Sequence, residues 1–313
     1  MSFTPPKEVY NGKVYTVTIS KGAKAVTFGG ENVLPFHSFE GEFVNKPVIA
    51  YEIQDIAPSE WPEQLRQVYA AVGDDTVKWA KYVQDELKAE AIALRLQGTH
   101  PDSGNRSADD AAKTVKAVLD NIDVPLIILG SNNVEKDAEV LVKVSEVAKD
   151  NPCIIGKAQE DNYKTIAAAA MANKHKLIAM SELDINLSKQ LNIMLTQMGF
   201  DKEKIIIDPM CSALGYGIEY TYTVMERIRL AALMQNDTTM QQPIVGDVGM
   251  YVWKIKEVQA SEDILPHWGA LTPRGIAWEA QTACALTMAG AGLLIMRHPE
   301  AVKAVNAFLD EMM

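Results

Sequence analysis

The chain has 313 residues, 48% hydrophobic and 23% charged, with 30 Lys and Arg against 41 Asp and Glu for a formal charge of -11. That balance is globular and excludes nucleic acid as a partner, which would need a basic stripe facing the phosphates. Three separated cysteines, Cys153, Cys211 and Cys284, with no C-x-x-C, exclude both a disulfide scaffold and a four-thiolate cluster built from this chain.

From the amino terminus onward, Met1-Ser-Phe-Thr-Pro-Pro shows no apolar signal core, so the expected location is cytoplasmic. Residues 14–19 and 25–28 flank Ser20-Lys-Gly-Ala-Lys24 and read as a hairpin closed by a Gly-containing turn. Its expected place is a plug on the amino-terminal face of a larger body. Eight short, nearly continuous apolar runs follow, at 47–52, 91–96, 125–130, 153–157, 176–180, 204–208, 243–247 and 292–296. Such runs suit strands buried on both faces of a parallel sheet. Helical patterns separate them, so the expected fold is α/β, a (β/α)8 TIM barrel at 47–313 behind an N-terminal extension with a β-hairpin at 1–46.

Between the first two runs, Trp61-Pro62 and Gly73-Asp-Asp75 break the chain into two helical pieces, 62–71 and 75–88. Ser107 with Asp110 reads as a wider capping box before Ala111, Val115, Val118, Leu119 and Ile122. After Asn132-Asn133 the expected buried stripe is Ala138, Leu141, Val142, Ser145 and Ala148. Ser181 precedes another, Leu187, Leu191, Met194, Leu195 and Met198. Residues 248–271 form a long connection rich in Met, Tyr and Trp, on the face where such loops usually bind ligands or partners. The apolar stretch from Ala283 to Met296 falls short of the about 20 residues a bilayer span needs and reads as a helix running through Gly290 into the last strand, so no membrane contact is expected. Pro299 sits where a first-turn proline belongs in the final helix.

In a barrel of this type the chemistry lies where strands end and loops begin. Those positions carry Glu52 and Gln54; Gln97, Thr99 and His100; Ser131, Asn132 and Asn133; Gln159 and Asp161; Ser181 and Glu182; Asp208, Met210 and Cys211; Asp247 and Met250; and Arg297 and His298. The rim reads as mostly amide and hydroxyl, with few charges and no obvious acid–base engine. Asp208 and Asp247, from neighbouring strands, are either a carboxylate pair for proton transfer or caps of loop backbone, the commoner role. His100 and His298 each stand alone, without H-E-x-x-H or His-x-His, and read as ordinary rim histidines. Cys211 has no basic neighbour in sequence and reads as an inert thiol.

Asp208-Pro-Met-Cys211 within 205–220, Gly246-Asp-Val-Gly249 within 244–251 and Trp268-Gly-Ala-Leu-Thr-Pro-Arg274 within 268–279, with the order of the barrel units, carry a family likeness over essentially the whole chain. The chain resembles the small subunit of the corrinoid/iron–sulfur protein of the anaerobic acetyl-CoA pathway, the delta-type subunit of acetyl-CoA decarbonylase/synthase. The resemblance implies a non-catalytic subunit of a heterodimeric methyl carrier. Its large subunit would bring the cobalamin and a 4Fe-4S cluster, and the barrel would cover the upper face of the corrin. The implied partners are that large corrinoid/iron–sulfur subunit, a methyltetrahydrofolate:corrinoid methyltransferase and acetyl-CoA synthase, with no nucleic acid and no membrane. The corrin-facing candidates are Ser131, Asn132, Asn133, Asp208, Met210, Cys211, Asp247, Met250, Arg297 and His298, chosen for position and polarity, with no metal ligand and no catalytic residue among them. The chain lacks the cobalamin signature Asp-x-His-x-x-Gly at His37, His100, His175, His267 and His298, in keeping with a corrin anchored on another chain. The same barrel occurs in pterin-dependent methyltransferases, so an enzyme using Asp208, Asp247, Asn132 and Asn133 on a pterin is the alternative. A metal-dependent, aldolase-like barrel is a third reading, for which Lys157 is the strand-end lysine candidate.

Overall fold

A computed structural model describes residues 6–313. Two strands, β1 (Thr16–Lys21) and β2 (Lys24–Gly29), pair antiparallel around a turn in which Gly22 takes the left-handed conformation, φ 56°. Eight parallel strands follow: β3 (Val48–Gln54), β4 (Ala91–Arg95), β5 (Leu126–Leu129), β6 (Ile154–Ala158), β7 (Lys176–Met180), β8 (Ile205–Asp208), β9 (Ile244–Gly246) and β10 (Ala291–Met296). They close in chain order, β10 pairing with β3, into the (β/α)8 barrel the alternation predicts. Residues 1–5, on which the reading of the extreme amino terminus falls, lie outside the described residues. Among the described residues no helix is long and apolar enough to cross a membrane.

Two apolar cores result. The larger lies between the outer faces of the strands and the helices. The smaller fills the barrel itself: Val48, Ala50, Ala91, Ala93, Ile127, Leu129, Ile154, Ile178, Ile206, Val245, Leu293 and Ile295 point inward, and Val17, Ile19, Val26 and Phe28 of the hairpin join them from below. The hairpin is therefore the floor of the barrel. The inward positions recur every second residue, as strand geometry requires, and small residues on β3 and β4 leave room for what stands above them.

Helix starts follow capping chemistry. Ser107 Oγ accepts from Asp110 N at 3.1 Å, opening Ala108–Leu119. Asn133 Oδ1 accepts from Lys136 N at 3.0 Å, opening Val134–Val147. The pieces expected at 62–71 and 75–88 are Glu63–Val68 and Thr76–Asp85. One stripe and one helix start differ from expectation. In Val134–Val147 the buried residues are Asp137, Val140, Leu141, Val144 and Ser145, and Val142 is exposed, because the helix turns a carboxylate inward. After β7 the helix starts at Ile185 behind an Asp184 cap and not behind Ser181, because Glu182 and Leu183 take left-handed φ of 44° and 63°. The connection 248–271 holds two short helices, Val248–Val252 and Lys256–Gln259, ahead of the long Leu271–Met288.

Phe28 is fully buried against the barrel interior. Phe28→Ala should cost about 3–5 kcal/mol in urea unfolding, whereas a floor that merely rests on the barrel would lose far less.

Candidate functional site

Continuing the inward positions by one step reaches the carboxyl end of the barrel, where aliphatic side chains give way to charge. Two residues beyond Ala50 stands Glu52, beyond Ala93 Arg95, beyond Ile206 Asp208, beyond Val245 Asp247, and beyond Ile295 Arg297. Lys157 completes the set from β6, where the register against β7 shifts between Ile155 and Ala158 and re-aims the chain. All six side chains are buried, with three carboxylates against three cations, so the layer is neutral.

The six are joined in one network. Arg95 Nε donates to Glu52 Oε1 at 2.9 Å, and its Nη2 donates to Asp247 Oδ2 at 2.8 Å. Lys157 Nζ donates to Asp247 Oδ2 at 2.7 Å and makes an ion contact with Asp208 Oδ2 at 2.8 Å, off hydrogen-bond alignment. Arg297 Nη2 donates to Glu52 Oε1 at 2.8 Å. Burial opposes ionisation of Asp247, and the adjacent Arg95 and Lys157 overcome it, leaving the carboxyl well below the usual range. Burial likewise opposes ionisation of Glu52, and Arg297 and Arg95 outweigh it. Burial disfavours the Lys157 and Arg95 cations, and their carboxylate partners raise both above ordinary values. Rich in amides only at its outer edge, the rim thus has charge directly beneath it, which corrects the reading of it as poor in charges.

Asp208 and Asp247 come together through Lys157 and share no proton directly. Asp208 Oδ1 also accepts from Met210 N at 2.8 Å, the backbone cap expected of it. Cys211 is buried and its thiol is pushed well up, first by burial and then by Asp247 and Asp208, so it is inert as read. Tyr251 lies above the layer, its ring centroid 5.9 Å from Lys157 Nζ and its phenol raised to about 12 chiefly by burial.

Arg297 and His298 belong to packing beneath the mouth. The Arg297 guanidinium lies 4.4 Å from the Trp61 ring, and its backbone N donates to Glu279 Oε1 at 2.6 Å. Glu279 Oε2 accepts from His298 N at 3.0 Å. His298 stacks on Trp253 with centroids 5.8 Å apart, its Nδ1 caps the last helix by accepting from Glu300 N at 3.1 Å, and burial lowers its pKa to about 4. His100 likewise caps a loop, accepting from Asp102 N at 3.1 Å.

On the mouth itself Asn132, Asn133, Met210 and Met250 are half-buried and Ser131 is buried. Asn132 and Met210 hold left-handed φ of 68° and 65°, which costs energy for residues with a side chain. Asn132 Nδ2 donates to Met250 Sδ at 3.1 Å, and since β5 and β9 stand opposite each other in the ring of eight, this contact crosses the mouth. Beside it the loops after β8 and β9 are tied together, Trp278 Nε1 donating to Leu214 O at 2.8 Å and the Trp268 and Trp278 rings stacking with centroids 5.4 Å apart. Trp268, Tyr216, Tyr220 and Ile264 are exposed. Arg95, Tyr251 and Glu279 were not among the strand-end candidates; for Arg95 the signal was present as the every-second-residue series Ala91, Ala93, Arg95.

A floored (β/α)8 barrel with a neutral, side-chain-filled mouth and an amide and thioether rim defines the structural class. Solved structures of that fold include dihydropteroate synthases: that of Xanthomonas albilineans in complex with 7,8-dihydropteroate aligns with a TM-score of 0.59 at 11% identity over 94% of this chain and 98% of that one. The Vibrio fischeri enzyme gives 0.59 at 13% identity over 94% and 99%. At such identity the likeness is one of fold. By sequence, a family profile described as CO dehydrogenase/acetyl-CoA synthase delta subunit matches residues 16–306, and the chain belongs to that family. It is 34% identical to the acetyl-CoA decarbonylase/synthase complex subunit delta of Methanothermobacter thermautotrophicus over 97% of this chain and 77% of the relative. Against subunit delta 1 of Methanosarcina thermophila it is 36% identical over 90% of this chain and 65% of the relative, so it spans somewhat under two thirds of that protein's length.

Removing one charge from the layer strands its partners. Asp247→Ala should lose about 3–5 kcal/mol in chemical denaturation, and adding Lys157→Met should recover part of it; a double variant whose loss is the sum of the two single losses would mean the network is not cooperative. Glu279, fully buried, is raised from 4.5 to about 7, burial outweighing its backbone donors. A raised carboxyl binds more protons in the folded state, so its contribution to stability falls as pH rises from 4.5 to about 7. His298, lowered from 6.5 to about 4, binds fewer protons when folded and contributes the opposite slope over that window. Unfolding free energies of Glu279→Gln between pH 4 and 7 should therefore rise with pH more steeply than those of the natural protein; parallel profiles would show that Glu279 titrates normally.

Proposed function

We propose that this chain is the small subunit of a cytoplasmic, heterodimeric corrinoid methyl carrier, a non-catalytic barrel that covers the upper face of a cobalamin held by a large corrinoid/iron–sulfur subunit. In this reading residues 1–46 are an extension, whose hairpin of β1 and β2 floors the barrel of residues 47–313. The carrier takes a methyl group from methyltetrahydrofolate, or a related methylated pterin, through a methyltransferase and passes it to acetyl-CoA synthase. Family membership supports the assembly. The observation that carries the barrel's role is the mouth: charges filled and neutralised below, neutral amides and thioethers above.

The donor set fits a corrin. Its edge bears amide side chains that need neutral donors and acceptors, which Asn132 and Asn133 offer, and its flat face suits the polarizable Met210 and Met250. When bound, the corrin would supply the methyl-carrying centre. This chain's residues exclude water and oxidants from above it, and the buried members Ser131, Asp208, Cys211, Asp247, Arg297 and His298 hold the rim in place. Because the methyl group passes through the same face, the contact must be modest and must part during each transfer. A mouth that shares no covalent anchor and bridges itself by a single amide–thioether contact is compatible with that.

A pterin-dependent methyltransferase is the second reading, supported only by fold. Against it, both carboxylates it would use are committed to Lys157. Co-expression with the large subunit should yield a red-brown complex with cobalt and iron–sulfur absorption, while the isolated chain, given methyltetrahydrofolate and free cobalamin, should show no turnover. Turnover by the isolated chain, or stoichiometric cobalt on it alone, would contradict the proposal.

A further inference from the structure

Asp137 is a buried acid that stands outside the charged layer, beside the mouth. It lies in the first turn of Val134–Val147 and is 1% exposed. Its Oδ1 accepts from Ser131 N at 2.7 Å and from Ser131 Oγ at 2.9 Å, and its Oδ2 accepts from Asn132 N at 2.9 Å. Both oxygens are thus spent on two consecutive residues of the loop after β5. Gly130 just before them has no side chain for a visible reason: a Cβ there would lie 2.3 Å from the Asp137 carboxylate. The sequence therefore clears space for the acid, and the acid fixes the loop.

What is fixed is one of several backbone conformations open to an Asn. Asn132 is left-handed at φ 68°, and its backbone N–H is aimed back at Asp137. That leaves its side chain free to reach over the mouth, where Nδ2 meets Met250 Sδ at 3.1 Å. An amide–thioether contact is weak, so it is the Asp137 grip, and not the sulfur, that sets where the amide points.

We propose that Asp137 is a positioning residue whose carboxylate holds Asn132 across the barrel mouth against Met250, presenting the Asn132 side-chain amide to the edge of the corrin. This rests on the reading of the mouth as a corrin ceiling. The amide's second N–H and its carbonyl oxygen are the groups left to pair with a corrin amide, and Asp137 itself touches no cofactor.

The test has two arms. In the full-length isolated chain, labelled with 15N and with methyl-labelled methionine, the Asn132 side-chain amide (identified by its loss in Asn132→Asp) should show a cross-relaxation contact to the Met250 methyl. That contact should vanish in Asp137→Asn, and also in Gly130→Ala, which displaces the carboxylate without removing it. It should persist in Asp184→Ala, which removes a helix cap elsewhere. In the assembled corrinoid complex, Asp137→Asn and Asn132→Ala should each slow methyl acceptance by about tenfold, and the double variant should be no slower than either alone, as expected when one residue acts through the other. Survival of the Met250 contact in both Asp137→Asn and Gly130→Ala, or multiplicative slowing in the double variant, would overturn the proposal. If the natural chain forms no corrinoid complex, the ceiling reading fails, while the first arm still decides whether Asp137 positions Asn132.

Discussion

Everything at the carboxyl end of this barrel depends on one neutral layer of buried charge. Six ionised side chains inside a protein are stable only when each finds its counterion, because desolvation outweighs an incomplete set of pairs. Here Asp247 carries the heaviest obligation, meeting both Arg95 and Lys157, and the chain of contacts runs outward through Glu52 to Arg297 and through Lys157 to Asp208. The loops inherit their geometry from it. Asp208 turns the β8 loop by holding Met210 N, and Arg297 begins the last helix segment with its backbone tied to Glu279. An apolar filling could also close the barrel, but it would not define the directions in which those loops leave.

The same layer decides what kind of chemistry the mouth supports. Asp247 is held as an anion by Arg95 and Lys157, and the nearby thiol is pushed toward its protonated form by burial. Reactivity is thereby removed from the place where related folds keep it. What remains exposed is a soft, neutral surface of amides and thioethers, with aromatic loops from β8 and β9 alongside. A surface of that kind can shelter a reactive group and still let go of it, which is the demand that the proposed role places on it.

The architecture was legible because parallel strands buried on both faces write themselves as apolar runs, and all eight stand within a residue or two of where those runs lie. The hairpin was equally plain from the Gly-containing turn between residues 14–19 and 25–28, and Val17, Ile19, Val26 and Phe28 are the side chains that make it the floor. The site was legible in part. Asp208, Asp247 and the Asn132 loop were found because they stand at strand ends, but Arg95 was overlooked because it precedes the apolar Leu96 and looks like an interruption within a strand rather than its inward-facing tip. Lys157 needs the irregular β6 register to face inward, which no period reveals. Asp137 lies six residues past Ser131 on a helix whose buried stripe it rotates, so its role depends on a three-dimensional turn that spacing alone does not encode.

The central claim is that the mouth end, and not the floored end, faces the cofactor of a partner chain. Hydrogen exchange of this chain, free and bound to the corrin-bearing subunit, tests it most directly. The account predicts slowed exchange in the loops around Asn132, Met210 and residues 248–271, varying with the methylation state of the corrin, with the hairpin of β1 and β2 unchanged. Protection confined to that hairpin, with the mouth loops exchanging as they do in the free chain, would contradict it.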